Sequence, residues 1–215
     1  SLLVGLAGAL LSGLLGALIG VAAGYLGGRL DAFLMRFTDG VIALPLLPLL
    51  IVVAAVDPRK LGVPAELAQS EAFSLYRIVV IIALTGWTTV ARLVRAETLS
   101  LKARDFSRAA QALGARPVRI MLRHILPNTA GSLIVATTIS MGTLILLEST
   151  LSFLGLGIQP PAASWGNMLT GAQELLQEAP LLSLWPGLLI FLTVIAFNFL
   201  GDGLQDALDP RSERR

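Results

Sequence analysis

Residues 2–24 read LLVGLAGALLSGLLGALIGVAAG, and no position in this run carries a charge. As a helix rising roughly 1.5 Å per residue, the run is long enough to cross a hydrocarbon core of about 30 Å. A cleaved leader has a basic start and a shorter apolar stretch, so this pattern predicts a spanning helix instead. Gly16, Gly20 and Gly24 recur every fourth residue, with Gly28 next in the row. On a helix that spacing makes a flat stripe, and packing of small residues is what draws helices together in lipid.

Working outward, the composition repeats the message. The 215 residues are 55% hydrophobic and 14% charged, with a mean hydropathy of +0.78, too apolar for an ordinary soluble domain. Further spans are expected over 41–56, with a start as early as Phe33 also open, and over 78–94, 128–147 and 185–200. The fold class is therefore an all-α membrane protein with a bundle of five transmembrane helices in one transmembrane domain over 1–215. Residues 27–40 read as a turn and a short amphipathic piece, and 57–77 as an exposed loop. Pro45 and Pro48 predict a bend in the second span, either a plain kink or the wall of a cavity. Arg92 and Arg95 mark the end of the third, where arginines can reach the headgroups. In the fourth, Thr129, Ser132, Thr137, Thr138, Ser140 and Thr143 can bond between helices. Residues 151–184 hold too many breakers for a span, and Trp165 and Trp185 suit the outer interface. Pro186 falls in the first turn of the fifth span, where its missing donor costs little.

Orientation follows from Lys and Arg. Residues 25–40, 92–127 and 202–215 hold 2, 8 and 3 of them, against 3 in 57–77 and none in 151–184. The positive-inside rule puts the rich side in the cytoplasm and makes 151–184 extracytoplasmic. Five spans with a cytoplasmic C-terminus place Ser1 outside, so a further span is expected upstream.

The longest polar interval is Arg104 to Pro127, RDFSRAAQALGARPVRIMLRHILP. Phe106, Ala110 and Leu113 recur at i, i+4 and i+7, predicting an amphipathic helix of about three turns. Asp105 can cap its start, and Gly114 can end it before Arg116 and Pro117. On pattern alone the helix either lies on anionic lipid or docks on a protein. The residue order adds to this. Ala109, Ala110, Gly114, Leu126 and Pro127 stand as A-A-x-x-x-G, eleven residues, then L-P, which resembles the cytoplasmic "EAA" loop of permease subunits from ATP-binding-cassette (ABC) importers. In that family the loop is the coupling helix that docks on the ATPase, with Ala and Gly allowing close approach. Arg108 occupies the loop's usual glutamate position.

ARLVRAETLSLKARDF before the loop, LLESTLSFLGLGIQPPAASWGNML after it and NFLGDGLQDALDPR at the end resemble the dipeptide/oligopeptide/nickel branch of these binding-protein-dependent inner-membrane components. The likeness covers nearly the whole chain. It implies a six-span subunit with an N-terminal helix ahead of the core, in a bacterial or archaeal cytoplasmic membrane, importing peptides or a related solute such as nickel. The implied partners are a second permease subunit, ATPase subunits that hold ATP and Mg, and an extracytoplasmic substrate-binding protein. Asp105, Phe106, Arg108, Ala109, Ala110, Leu113, Gly114, Leu126 and Pro127 are the expected coupling set. Gly16, Gly20 and Gly24 are the expected packing set.

Other chemistry fails on inventory. There is no cysteine and His124 is the sole histidine, so neither a thiol-histidine pair nor a multi-histidine metal site can form. No phosphate-binding loop or nucleophile elbow is present, so the chain is not read as an enzyme and binds no cofactor of its own. A net charge of +2 gives nucleic-acid binding no support. Glu148 is the one acid that can lie within the membrane, as a functional group or a locally paired one. An ion- or proton-coupled secondary transporter is the alternative, but such machinery shows repeats and mid-span acids. The substrate and pore-lining residues are not legible.

Overall fold

A computed structural model describes residues 1–68 and 70–208. The tail charges Asp209, Arg211, Arg214 and Arg215 lie outside the described residues. Within the described residues every regular element is helical. In chain order the longer ones are α1 (Leu2–Leu26), α2 (Gly28–Ala43), α3 (Leu46–Ala55), α4 (Glu71–Lys102), α5 (Asp105–Ala112), α6 (Pro117–Phe153), α7 (Trp165–Glu174) and α8 (Leu181–Leu208), with single turns at Pro58–Leu61 and Ala65–Ala68 between α3 and α4. Helices α1, α4, α6 and α8 are each long and apolar enough to cross a membrane, and α2 with α3 forms a pair bent by 88°.

The packing of α1 on α4 follows the glycine row. A Cβ at Gly16 would stand 2.6 Å from Val90 Cβ, one at Gly20 2.6 Å from the Ala91 carbonyl oxygen, and one at Gly24 2.8 Å from Thr98 Cβ. Only hydrogen fits at these positions, and the register rises together in both helices, so α1 and α4 are parallel. Against α6 the order reverses: Gly5 meets Ile145 and Gly13 meets Thr137. Helix α8 lies antiparallel on the far side of α6, where Gly142 faces Val194 and Gly201 faces Ile139. Since α1 and α4 point the same way, residues 27–70 must return across the bundle. The bent α2–α3 pair is that fifth crossing.

Several expected boundaries move. The piece over 27–40 is not separate from the second span: α2 starts at Gly28, straight after a turn at Gly27 (φ 68°). The break falls at Leu44 and Pro45, both extended, because a residue before proline is pushed out of the helical region. Pro48 does not add a second kink. It sits in the first turn of α3, where no donor is needed.

Arg92 and Arg95 do not end the helix, since α4 continues to Lys102. Both arginines find acids on α2. Arg95 forks onto Asp31 through Nε and Nη2 at 2.5 and 2.6 Å, and Arg92 Nη2 meets Asp39 Oδ1 at 2.5 Å. The fourth span starts at Pro117 rather than Asn128. A π turn over Met121–Ile125 and a 3-10 turn over Leu126–Thr129 lead into its regular part, an adjustment that accommodates Pro127, whose ring denies the ladder a donor. Three of the six hydroxyls expected to bond between helices instead bond within the helix: Thr129, Thr138 and Ser140 donate to the carbonyls of Leu126, Ile134 and Ala136. The expected bonds between helices do not form there, because a carbonyl three or four residues back is always in reach. Helix α8 begins at Leu181, so Pro186 lies inside it and not in its first turn.

In the 151–184 segment, Ser164 Oγ caps α7 by accepting from Asn167 N, and Asn167 Nδ2 donates to the Ile158 carbonyl. The Trp165 N–H donates to Ser1 Oγ, which puts this segment at the α1 N-terminal end of the bundle. Trp165 is partly covered, whereas Trp185 is 60% exposed. Glu148 is fully buried, its Oε1 accepting from Ser152 Oγ at 2.6 Å while its Oε2 has no partner among the described residues, and Ser152 Oγ accepts from Ile158 N.

Candidate functional site

At the opposite end of the bundle the chain leaves α4, makes α5 and re-enters as α6. Helix α5 has eight residues, about two turns rather than three. Asp105 does not cap it. The N-cap is Arg104, without a side-chain bond, and Asp105 takes the first-turn place, where a carboxylate still suits the positive end of the helix dipole. The helix ends as a Schellman motif: Gly114 N–H donates to the Gln111 carbonyl and Ala115 N–H to that of Ala110, with Gly114 at φ 78°. This glycine has a left-handed backbone and open space around it, so it turns the chain sharply without filling the surface.

The sequence places Phe106, Ala110 and Leu113 on one apolar face, and the structure divides them. Ser107 is fully buried, and Ala110 and Ala115 pack on the cluster of Val21, Tyr25, Val90, Val94, Ile120 and Ile125. The buried row thus runs through Ser107 and Ala110, one step round the helix. Phe106 is 37% exposed and Leu113 88%. Arg108 and Ala109 are exposed as well, Leu126 is half-buried and Pro127 exposed. Arg104, Arg108, Arg116, Arg119 and Arg123 are all exposed, and among the described residues none has an ion-pair partner. Two apolar side chains therefore stand outward among unpaired cations, a surface suited to a partner with an apolar pocket and acidic surroundings.

One residue absent from the sequence reading joins this helix to the bundle. Tyr25, at the end of α1, accepts from Gln111 Nε2 through its hydroxyl at 3.0 Å and from Lys102 Nζ through its carbonyl at 2.5 Å. The same ammonium lies 5.3 Å from the Tyr25 ring centroid. The ends of α1 and α4 are thus tied to α5 at one point, so a push on α5 reaches two spans. Tyr25 is the only aromatic residue in α1, the one signal that could have drawn notice.

Of the grooves along the spans, two share a lining residue. One of about 690 Å³ lies near the α5 end and is lined by α4, α6 and α8 through residues including Asn128, Ser132 and Gln205. The other, about 440 Å³, is set at the α2–α3 break against α4 and α6. Ile139 lines both. Among the described residues no cluster of His, Cys, Asp or Glu could hold a metal ion.

These features define a polytopic helical protein with a short helix presented at one end and grooves within the bundle. The family model described as "Binding-protein-dependent transport system inner membrane component" matches residues 16–214, and the chain belongs to that family. It is thus an inner-membrane protein of a transport family. It is 37% identical over 211 residues to the oligopeptide transport system permease protein OppC of Bacillus subtilis (strain 168), covering 98% of this chain and 65% of the relative. The dipeptide transport system permease protein DppC of the same organism is 40% identical over 215 residues, covering 100% and 63%. A putative peptide permease protein of Brucella ovis is 43% identical over 191 residues, covering 87% and 59%. The chain therefore spans between 59% and 65% of the length of these relatives. A crystal structure of an amino acid ABC transporter with histidines shares the fold, with a TM-score of 0.61 at 16% identity over 95% of this chain and 90% of that one.

Proposed function

We propose that this chain is the permease subunit of an ATP-driven importer, forming half of a translocation pathway for peptides or a related small solute such as nickel. ATP and Mg are held and hydrolysed on separate ATPase subunits. A second permease completes the pathway, and an extracytoplasmic binding protein delivers the cargo. The observation that carries this reading is α5, which presents Phe106 and Leu113 outward while Gln111 and Tyr25 fasten it to α1. Membership of a transport family favours it over an ion-coupled carrier. The coupling surface consists of Asp105, Phe106, Arg108, Ala109, Leu113 and Gly114, with Ala110 seating the helix on the bundle and Leu126 and Pro127 lying at the junction of the π and 3-10 turns within α6.

The test is ATPase stimulation by substrate-loaded binding protein in reconstituted membranes. Gly114→Asp is expected to abolish most of the stimulation while the subunit still inserts, because it strains the left-handed turn and puts a charge into the contact. Full stimulation in this variant would sink the coupling role. A helix held only by anionic lipid predicts the reverse pattern, with joint removal of Arg104, Arg108 and Arg116 mattering and Gly114→Asp hardly so.

A further inference from the structure

A smaller groove of about 190 Å³ opens outward between α1 and the start of α6, with Ala17, Leu18 and Ala22 on one wall and Val118, Leu122 and Leu126 on the other. Every residue lining it is apolar. Ala17 and Ala22 are too small to fill the space, while Leu18, Val118 and Leu122 are 50%, 59% and 52% exposed. The walls offer aliphatic surface and no hydrogen-bonding side chain, and the hollow is smaller than a pocket for a compact ligand. A slot of this kind takes a hydrocarbon chain.

Charge stands beside it. Arg119 and Arg123 each follow a lining residue in sequence, Val118 and Leu122, and long arginine stems lie along apolar surface while the guanidinium reaches the headgroups. Both are exposed, and neither has an ion-pair partner among the described residues. No acid occurs in α1 or between Asp105 and Glu148, so nothing in either wall neutralises them. The π turn over Met121–Ile125 holds Leu122 and Arg123 together, and such turns occur frequently at functional sites. On α1 the groove covers positions four to nine residues in from Leu26, roughly 6–14 Å along the axis, which lies within one leaflet of a core about 30 Å thick. The excess of Lys and Arg at this end makes that the cytoplasmic leaflet, whose anionic lipids attract basic residues. Arg104 and Arg108 belong to α5 and its outward surface, so the two sets of arginines can be varied separately.

We propose that this groove and its two arginines form a binding site for an anionic phospholipid of the cytoplasmic leaflet, with an acyl chain between α1 and α6 and the phosphate on Arg119 and Arg123. A guanidinium fork matches the paired oxygens of a phosphate. A zwitterionic lipid carries the same phosphate, but its own cation competes for it. The site stands whether or not the importer reading does, since it uses only the bundle and its orientation.

Native mass spectrometry of the full-length protein in mild detergent measures its affinity for phosphatidylglycerol and for phosphatidylcholine with matched acyl chains. The parent should bind the anionic lipid more tightly. Arg119→Gln with Arg123→Gln should weaken that lipid about thirtyfold, the usual contribution of two basic residues near a membrane surface, and remove most of the preference. Val118→Phe and, separately, Ala22→Phe fill the slot and should weaken both lipids. Val118 is exposed, so that variant leaves the bundle intact. Arg29→Gln with Arg36→Gln removes two exposed charges of α2 that do not line the groove, and should leave the preference in place. Glycerol phosphate, which has the charge without the chains, should not displace the lipid. Equal affinities in the parent, an equal loss from the α2 pair or displacement by glycerol phosphate would overturn the proposal. So would unchanged binding in both phenylalanine variants, which would show the groove covered by another part of the full-length chain.

Discussion

Tyr25 shows what a single side chain does here. Its ring and carbonyl hold Lys102, and its hydroxyl holds Gln111. Tyr25→Phe keeps the ring and removes one hydrogen bond, worth about 1 kcal/mol. Gln111 is exposed and can turn to water, so no buried group is orphaned. Amide exchange across 105–112 should quicken about fivefold, with solute moved per ATP falling while insertion and basal hydrolysis hold. Unchanged exchange would show that the hydroxyl does not fasten α5. Arg108 sits a few residues away, exposed and unpaired among the described residues. Arg108→Glu should weaken stimulated hydrolysis if an acid on the ATPase faces it, and a matching charge reversal there should restore it. None of the Tyr25 contacts was legible in the sequence, because Tyr25 and Gln111 are 86 positions apart and nothing local marks a tyrosine at the end of an apolar run. Gly114 was legible, since a glycine before Arg-Pro is a local stop signal.

At the scale of elements, the apolar runs each fall on a helix of the bundle, and most helices extend beyond the runs that marked them. Charge was the misleading cue. Arg92 and Arg95 resembled the edge of a span, but Asp31 and Asp39 on α2 neutralise them within a longer helix. A pairing across 64 positions leaves no trace in a hydropathy window. The glycine row of α1 was readable as a close-packing stripe, though not which helix it meets. The structure gives it to α4 of the same chain, which sharpens a stability prediction. At Gly20 a bare Cβ already lies 2.6 Å from a backbone oxygen and 2.9 Å from Val94 Cβ. Gly20→Ala should therefore lower thermal stability in detergent by about 1–3 kcal/mol of overpacking strain, and Gly20→Leu by more, with insertion unimpaired. Gly203, in α8, has no atom within 4 Å of its would-be Cβ. Gly203→Ala should be neutral or slightly stabilising through helix propensity. Equal melting temperatures for both alanine variants would mean that α1 can draw back from α4 without loss.

The whole molecule can be oriented by two independent arguments that must agree. The first is charge: 13 of the 16 Lys and Arg fall in segments assigned to one side, and none lies in 151–184. The second is geometry. The parallel register of α1 and α4 forces residues 27–70 back across the bundle, so α1, the bent α2–α3 pair, α4, α6 and α8 alternate in direction. Ser1 and Trp165 meet at one end, while Tyr25, Lys102 and Gln111 meet at the other. Reporter fusions at Gln159 and Gly62 should therefore read outside, and one at Gln111 inside. Gln69 and Ser212, expected outside and inside from charge alone, lie outside the described residues. The Gly62 fusion carries the most information. Were α2 and α3 a re-entrant hairpin, Gly62 would report cytoplasmic, and α4 would then have to run against α1, contrary to the rising register of Gly16, Gly20 and Gly24 with Val90, Val94 and Thr98. A cytoplasmic signal at Gln159 would instead invert the whole bundle, turn α5 away from any cytoplasmic ATPase and remove the coupling role.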